Sequence, residues 1–218
     1  MQKNYWEIIY KKKLQLIEWP WSDLIGLVNK FAIRNKKTKV LELGFGNGPN
    51  IPYFLNLNMD YSGIELSKTI TDKVKKKFPL IKNKLFHGNF SASKTLGQNF
   101  DLIVDRGAMT HNSSKDIILS IDLAHKALKK GGIYIGTDWM STDHSDFKLG
   151  TQSSDKKTKY NFKKGGFKGV GNVHFFDKVE IKKIFKNWKI LYLNKKSLKS
   201  FIPNKKFNYS TWSIVAKK

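Results

Sequence analysis

The sequence predicts a single doubly wound α/β domain on a mostly parallel sheet. Three observations carry this. From residue 38 to residue 138, short apolar runs alternate with segments of helical spacing, the pattern of parallel strands joined by right-handed crossovers. The first run ends in a glycine-rich turn, Gly44-Phe-Gly-Asn-Gly48, and opens a helix. The second run ends in Glu65, 21 residues after Gly44.

The elements follow in order. In the first segment Trp6, Ile9, Tyr10 and Lys13 fall at helical spacing. After Pro20, Leu24, Ile25, Leu27, Val28 and Phe31 continue the helical pattern, so residues 1–37 read as a helical cap. Val40 to Phe45 is a compact apolar strand, Asn50 to Leu57 a short helix, and Tyr61 to Leu66 a second strand. Ser67 is placed to cap a helix that Pro79 stops. Leu85 to Phe90 and Phe100 to Asp105 are the third and fourth strands. Ser113 or Ser114 caps a long helix with Ile117, Ile118, Ile121, Ala124 and Leu128 on one face, ended by Gly131-Gly132. Ile133 to Asp138 is the fifth strand, closing a core at 38–138. Residues 139–172 are rich in Lys, Ser and Gly and read as a mobile loop; 139–176 is the expected substrate segment. In 177–218, Asp177 caps a helix, and Trp188 to Asn194 and Tyr209 to Ala216 form a closing pair whose linker holds Pro203 and Asn204.

Composition narrows the function. The chain has 218 residues, 40% of them hydrophobic, and no cysteine, which excludes disulfides, thiolate zinc sites and cysteine nucleophiles. No apolar run is long enough to span a bilayer and no signal peptide is evident, so a cytoplasmic protein is expected. The net charge of +24 suggests polyanionic partners, yet of 41 basic residues only Arg34 and Arg106 are arginine, the side chain suited to bidentate phosphate and base contacts. A solvated lysine surface is preferred to a nucleic-acid face.

The glycine turn lies at the carboxyl end of the first strand, where open α/β sheets place their ligand crevice. Glu65 is placed to accept hydrogen bonds from both ribose hydroxyls of an adenosine. The glycine spacing is G-x-G-x-G, and Glu42 precedes it by two residues. A carboxylate there repels a dinucleotide phosphate and suits a ligand with an ammonium and a sulfonium. S-adenosylmethionine (SAM) is therefore favoured over NAD. Glu42-Leu-Gly-Phe-Gly-Asn-Gly48 resembles motif I of class I SAM-dependent methyltransferases, and Tyr61-Ser-Gly-Ile-Glu65-Leu66-Ser resembles their second motif. Gly88-Asn89-Phe90 stands where the family often has Gly-Asp beside the adenine. Phe100 to Asp105 and Leu128 to Ile135 are similar to its fourth strand and to its helix end and fifth strand. The resemblance covers about residues 38–138 well. It implies a seven-stranded sheet with the last strand inserted antiparallel, and methyl transfer that leaves S-adenosylhomocysteine. It implies cofactor contacts at Glu42, Gly44, Phe45, Gly46, Gly48, Glu65, Leu66, Asn89, Phe90 and Asp105.

For the acceptor, His111 past the fourth strand is the first choice of general base, the alternative being a loop histidine at a helix cap. Asp105 and Arg106 stand with it as catalytic candidates. Arg106 either holds an anionic acceptor or makes a salt bridge at the strand end. His144, His174, Tyr10 and Trp21 are further candidates for the acceptor pocket. A metal centre at Asp138, Asp143 and His144 lacks a distinctive ligand spacing, so none is expected. The amino-group nucleic-acid methyltransferase motif is absent. The expected acceptor is a small molecule methylated on oxygen, a sugar or a phosphorylated or nucleotide-linked metabolite held by the basic loop 148–172. An RNA or protein methyltransferase and a SAM-binding module without turnover remain alternatives, and a dehydrogenase is a distant fourth.

Overall fold

The computed structural model describes residues 5–202 and 207–218. Among the described residues, ten strands and six α-helices form in the order α1 (Tyr5–Lys11), α2 (Ser22–Phe31), β1 (Lys39–Leu43), α3 (Ile51–Asn56), β2 (Asp60–Glu65), α4 (Lys68–Lys77), β3 (Leu85–His87), β4 (Phe100–Arg106), α5 (Ser114–Ala127), β5 (Leu128–Met140), β6 (Thr151–Gln152), β7 (Thr158–Tyr160), β8 (Val173–His174), α6 (Lys178–Ile184), β9 (Lys189–Lys199) and β10 (Asn208–Lys217). Seven strands make one sheet in the order β3-β2-β1-β4-β5-β10-β9. The first five run parallel; β10 is inserted antiparallel between β5 and β9. Both the strand count and the inserted last strand match the expectation.

The order reverses between β1 and β4, so the loops after these strands part and leave a crevice at their carboxyl ends. Both faces of the sheet are covered. On one, Leu41, Leu43, Ile103 and Tyr134 pack with Ile117, Ile121 and Ala124 of α5 and Ile181 of α6. On the other, Val40, Leu102, Val104 and Ile135 pack with Leu24 and Val28 of α2, Phe54 of α3 and Val74 of α4. Strands buried on both sides are why their sequences run apolar without alternation.

Three expected caps form. Ser67 accepts from the Ile70 N–H, Ser113 from Asp116 and Asp177 from Glu180. Several boundaries differ from expectation. Helix α1 stops at Lys11, and Lys13 takes a left-handed conformation (φ 55°) outside it. Helix α5 ends at Ala127, because Leu128 is already extended and begins β5; Gly131 (φ 80°) bends that strand instead of ending the helix. Ile118 is exposed, off the face formed by Ile117, Ile121 and Ala124. Pro203 and Asn204 lie outside the described residues.

The largest departure is at 139–172. Strands β6, β7 and β8 form a separate antiparallel sheet. Its apolar nucleus, Met140, Phe162, Val173 and Phe175, is supported by Phe147, Leu149, Phe167 and Val170. The lysine and serine content hides these aromatics from a reading by composition.

Candidate functional site

A cavity of about 360 Å³ opens at the carboxyl ends of β1, β2, β4 and β5, roofed by the N-terminal segment. Its floor is the turn after β1. Gly44 has φ 71°, and a Cβ there would overlap the Cβ of Ala108. The loops after β1 and β4 therefore touch at the bottom of the crevice. A Cβ on Gly46 (φ 54°) would meet the Tyr10 hydroxyl at 3.0 Å. Both positions need glycine for conformation as well as space.

Two carboxylates line this floor. Glu65, at the end of β2, accepts the Gly46 N–H at 3.0 Å on one oxygen and the Ser67 N–H at 2.9 Å on the other. Burial raises its pKa against these bonds. Glu42 is held by Asn50 Nδ2 (2.8 Å) and the Tyr61 hydroxyl (2.6 Å). Burial pushes its pKa up to about 7, with nearby Asp105 and Glu65 adding to the rise. A buried carboxyl titrating near neutrality is poised to ionise when a cation arrives beside it. Phe45, Leu66, Asn89 and Phe90 complete this half of the wall. Asn89 Oδ1 already caps Ser91 at 3.0 Å, leaving its amide nitrogen for a ligand.

The other half of the cavity lies after β4 and β5. Arg106 pairs with Asp138, and its guanidinium carbon sits 3.4 Å from the ring centre of Trp21. Its Nε is buried without a partner. Asp138 stands in β5 with φ 53°, strained for a residue other than glycine, and burial raises its pKa. The salt bridge to Asp138 engages Arg106, and among the described residues no lysine lines this end. His111 also faces the cavity. Its Nδ1–H donates to the Asn172 carbonyl at 3.1 Å, and its ring meets Trp6 edge-on at 4.8 Å. Desolvation lowers its pKa to about 4, so the imidazole is neutral with Nε2 as an acceptor.

The N-terminal segment closes the top. Trp6, Tyr10, Ile17 and Trp21 line the cavity. The Glu7 carboxylate accepts from the Ser67 hydroxyl (2.6 Å), the Thr69 hydroxyl and the Thr69 N–H (3.3 Å) at the start of α4. Burial opposes its charge, but these bonds hold its pKa down to about 2. Asn47 Nδ2 donates to the Ile17 carbonyl at 3.1 Å, and Trp21 N–H to Asn50 Oδ1 at 3.4 Å.

Several expected site residues lie elsewhere. Gly48 (φ 75°) packs under Ile51, Val74 and Phe78 and shapes the turn without lining the cavity. Asp105 is fully buried behind the wall. It accepts the N–H groups of Ala108 (2.9 Å) and Met109 (3.0 Å) and the Trp139 indole N–H (2.5 Å), so it organises the turn that carries Arg106 and His111. His144 is buried among Phe167, Phe175, Phe207 and Tyr209, its Nδ1 accepting the Asp146 N–H. His174 is buried between the Thr158 hydroxyl (2.8 Å) and Glu180 (3.2 Å) and ties the small sheet to α6. The segment 148–172 contributes Gly166, Phe167 and Val170 to the wall; none of its lysines, nor any described lysine, lines it. His125 packs against Trp188, as its helical position suggested. Asp138, Asn50 and Tyr209 line the cavity but were missed as ligand-facing residues, since only the closed sheet shows which end of each strand faces the crevice.

The residues present fit SAM: a glycine floor, two carboxylates and an aromatic roof, with no described lysine in the lining. Residues 40–132 match a family described as a methyltransferase domain. An uncharacterized methyltransferase of Oceanobacillus iheyensis is 31% identical over 109 residues, and the chain spans about half the length of this curated relative (50% of each chain is covered). A SAM-dependent methyltransferase from Methanosarcina mazei has the same fold, with a TM-score of 0.69, 15% identity, and 92% of this chain and 98% of that one covered. So does 1,6-didemethyltoxoflavin-N1-methyltransferase of Burkholderia thailandensis, solved with 1,6-didemethyltoxoflavin and S-adenosylhomocysteine (TM-score 0.58, 16% identity, 90% and 76% covered). By its motifs, its sheet order and the match over 40–132, the chain is similar to the class I methyltransferases, whose cofactor is S-adenosylmethionine.

Proposed function

We propose that the protein is a cytoplasmic enzyme that transfers the SAM methyl group to an oxygen of a small, uncharged acceptor. The observation that carries this reading is the cavity whose floor carries carboxylates and whose far end carries a neutral histidine beside the Arg106–Asp138 pair. In this reading Glu65 holds the ribose, and Asn50 and Tyr61 position Glu42 near the cationic amino-acid end. Gly44 and Gly46 let the backbone approach the nucleoside, and Asn89 and Phe90 flank the adenine. SAM, when bound, supplies an electrophilic methyl group on a sulfonium. The chain orients the acceptor against Trp6, Trp21 and Phe167 and excludes water; much of the acceleration comes from that alignment. His111 Nε2 takes the acceptor proton, with Nδ1–H fixed on Asn172.

The division of labour is a cap at 1–37, a cofactor core at 38–138, an acceptor segment at 139–176 and a closing unit at 177–218. That no described lysine lines the wall weighs against a phosphorylated or nucleotide-linked acceptor and favours sugars and other neutral hydroxyl compounds. The Burkholderia relative binds 1,6-didemethyltoxoflavin and S-adenosylhomocysteine together and is named for N1 methylation, so the screen below includes ring nitrogens.

Two results test this. His111→Ala is expected to lower kcat by roughly 10²- to 10⁴-fold with S-adenosylhomocysteine affinity unchanged. Because His111 protonates only near pH 4, turnover should show no histidine limb between pH 5 and 8. Turnover on RNA and none across neutral hydroxyl and ring-nitrogen acceptors would overturn the small-molecule reading. The second result is linkage at Glu42. A cation beside it favours the ionised form, so binding below about pH 7 releases a proton and affinity rises with pH up to about 7, then levels off. Titration calorimetry in buffers of different ionisation enthalpy measures that proton. Glu42→Gln should remove it, and an unchanged proton release in that variant would place the titrating group elsewhere.

A further inference from the structure

We propose that Asp146 is the positioning residue of the acceptor wall: its carboxylate clamps the turn Gly165-Gly166-Phe167 and so sets where Phe167 and Val170 stand in the cavity. The inference deepens the reading above, in which this end of the cavity takes the acceptor, and rests on it. Residues 161–172 connect β7 to β8, and Gly166, Phe167 and Val170 are the ones that reach the cavity. The connection has no helix or strand of its own, so side chains elsewhere must fix its backbone. Among the described residues, three hydrogen bonds tie it to the rest of the chain. One joins the Asn172 carbonyl to His111 at 3.1 Å. The other two end on a single oxygen of Asp146, from the Gly166 N–H at 2.7 Å and the Phe167 N–H at 3.3 Å. Val170 follows, its N–H donating to the Phe167 carbonyl at 3.0 Å. The clamp therefore carries both wall side chains.

The clamp is itself anchored. Asp146 lies in a short 3₁₀ turn, Ser145–Lys148, soon after β5, the strand that supplies Asp138 and Met140 to the cavity. Its N–H donates to His144 Nδ1 at 3.1 Å, and the His144 ring packs at 5.3 Å against both Phe167 and Tyr209, which line the cavity. Asp146 is buried and does not line the cavity, so it acts through the turn it holds. Only glycine fits where the two meet: a Cβ on Gly165 (φ 85°) would stand 2.6 Å from Asp146 Oδ1. That same Oδ1 is buried without a partner among the described residues. Leaving a buried carboxylate oxygen bare is costly. An amide nitrogen in its place would keep the clamp on the other oxygen, which makes asparagine the informative substitution.

The test is amide hydrogen exchange on the whole protein. Asp146→Ala should speed exchange at Gly166 and Phe167 by at least about tenfold, because both N–H groups lose their acceptor, while Gly46 and Ser67 in the floor exchange as in the parent. Asp146→Asn should restore most of the protection. Gly165→Ala, which keeps the carboxylate and crowds it, should resemble Asp146→Ala and carries the same prediction should the alanine variant not fold. Turnover is followed with 2-naphthol and methyl glucoside as neutral hydroxyl probes. Asp146→Ala should raise the KM of the probe by about tenfold, with kcat and S-adenosylhomocysteine affinity within about threefold of the parent and recovery in Asp146→Asn. A general loosening of the fold would lower kcat and cofactor affinity as well. Parent-like exchange at Gly166 and Phe167 in both Asp146→Ala and Gly165→Ala would overturn the proposal. So would a loss confined to kcat or to cofactor affinity. No turnover of either probe by the parent would count against the catalytic reading, and exchange then decides the clamp by itself.

Discussion

Glu65→Ala should weaken S-adenosylhomocysteine binding by at least about a hundredfold while the protein stays folded. Two losses combine. The first is the pair of charge-assisted hydrogen bonds proposed to the ribose, each worth about 1.5–3 kcal/mol. The second is the shape of the floor, because the Gly46 and Ser67 N–H groups both depend on this carboxylate. Glu65→Gln should fall between parent and alanine: its NH₂ must face either one of those N–H donors or the ligand. Calorimetry or intrinsic fluorescence measures the affinity, and thermal melts check the fold. Affinity within about threefold of the parent in Glu65→Ala would remove the proposed sugar grip.

The second large effect is on stability. Asp105→Ala should cost about 3–5 kcal/mol, since it leaves the Ala108, Met109 and Trp139 N–H donors buried and unpartnered. That is a large part of the 5–15 kcal/mol typical of a domain. Asp105→Asn keeps the shape and turns an NH₂ toward one donor, so about 1–3 kcal/mol is expected. The pH dependence separates charge from shape. Burial raises the Asp105 pKa to about 7, above its unfolded value, so the native state binds more protons than the unfolded state between about pH 4 and 7. Stability therefore falls as pH rises through that window, and Asp105→Asn removes that part of the slope. Urea melts at pH 5 and pH 8 measure it; Glu42 contributes a similar slope and is followed in parallel in Glu42→Gln. If Asp105→Asn lowered turnover at constant stability and cofactor affinity, Asp105 would act on the reacting groups rather than as a positioning residue.

The fold was legible because its signals are local. The apolar runs gave β1, β2, β4 and β5, and Ser67, Ser113 and Asp177 marked helix starts whose caps need only one side chain and one N–H. The glycine turn and Glu65 marked the floor for the same reason: both sit at strand ends in a regular αβ rhythm. What failed depends on long-range packing. Asp105 and Arg106 are neighbours in sequence, yet strand alternation turns one to the buried Trp139 and the other to the cavity. His144 and His174 read as candidates for the acceptor pocket because the partners that bury them, Phe167, Phe175 and Tyr209 for the first and Thr158 and Glu180 for the second, are scattered along the chain. Glu42 was read as a bare charge, but Tyr61 and Asn50, 19 and 8 residues away, take both of its oxygens.

The small sheet β6-β7-β8 rests on its own apolar nucleus, apart from the two layers that flank the main sheet. Substitutions at distant sites with no shared partners add nearly independently, so changes inside that nucleus leave the nucleoside floor energetically untouched. Phe167 and Val170, which belong to this unit, also face the cavity. Selection for a different methyl recipient can thus rewrite one wall while the machinery for the donor is inherited intact.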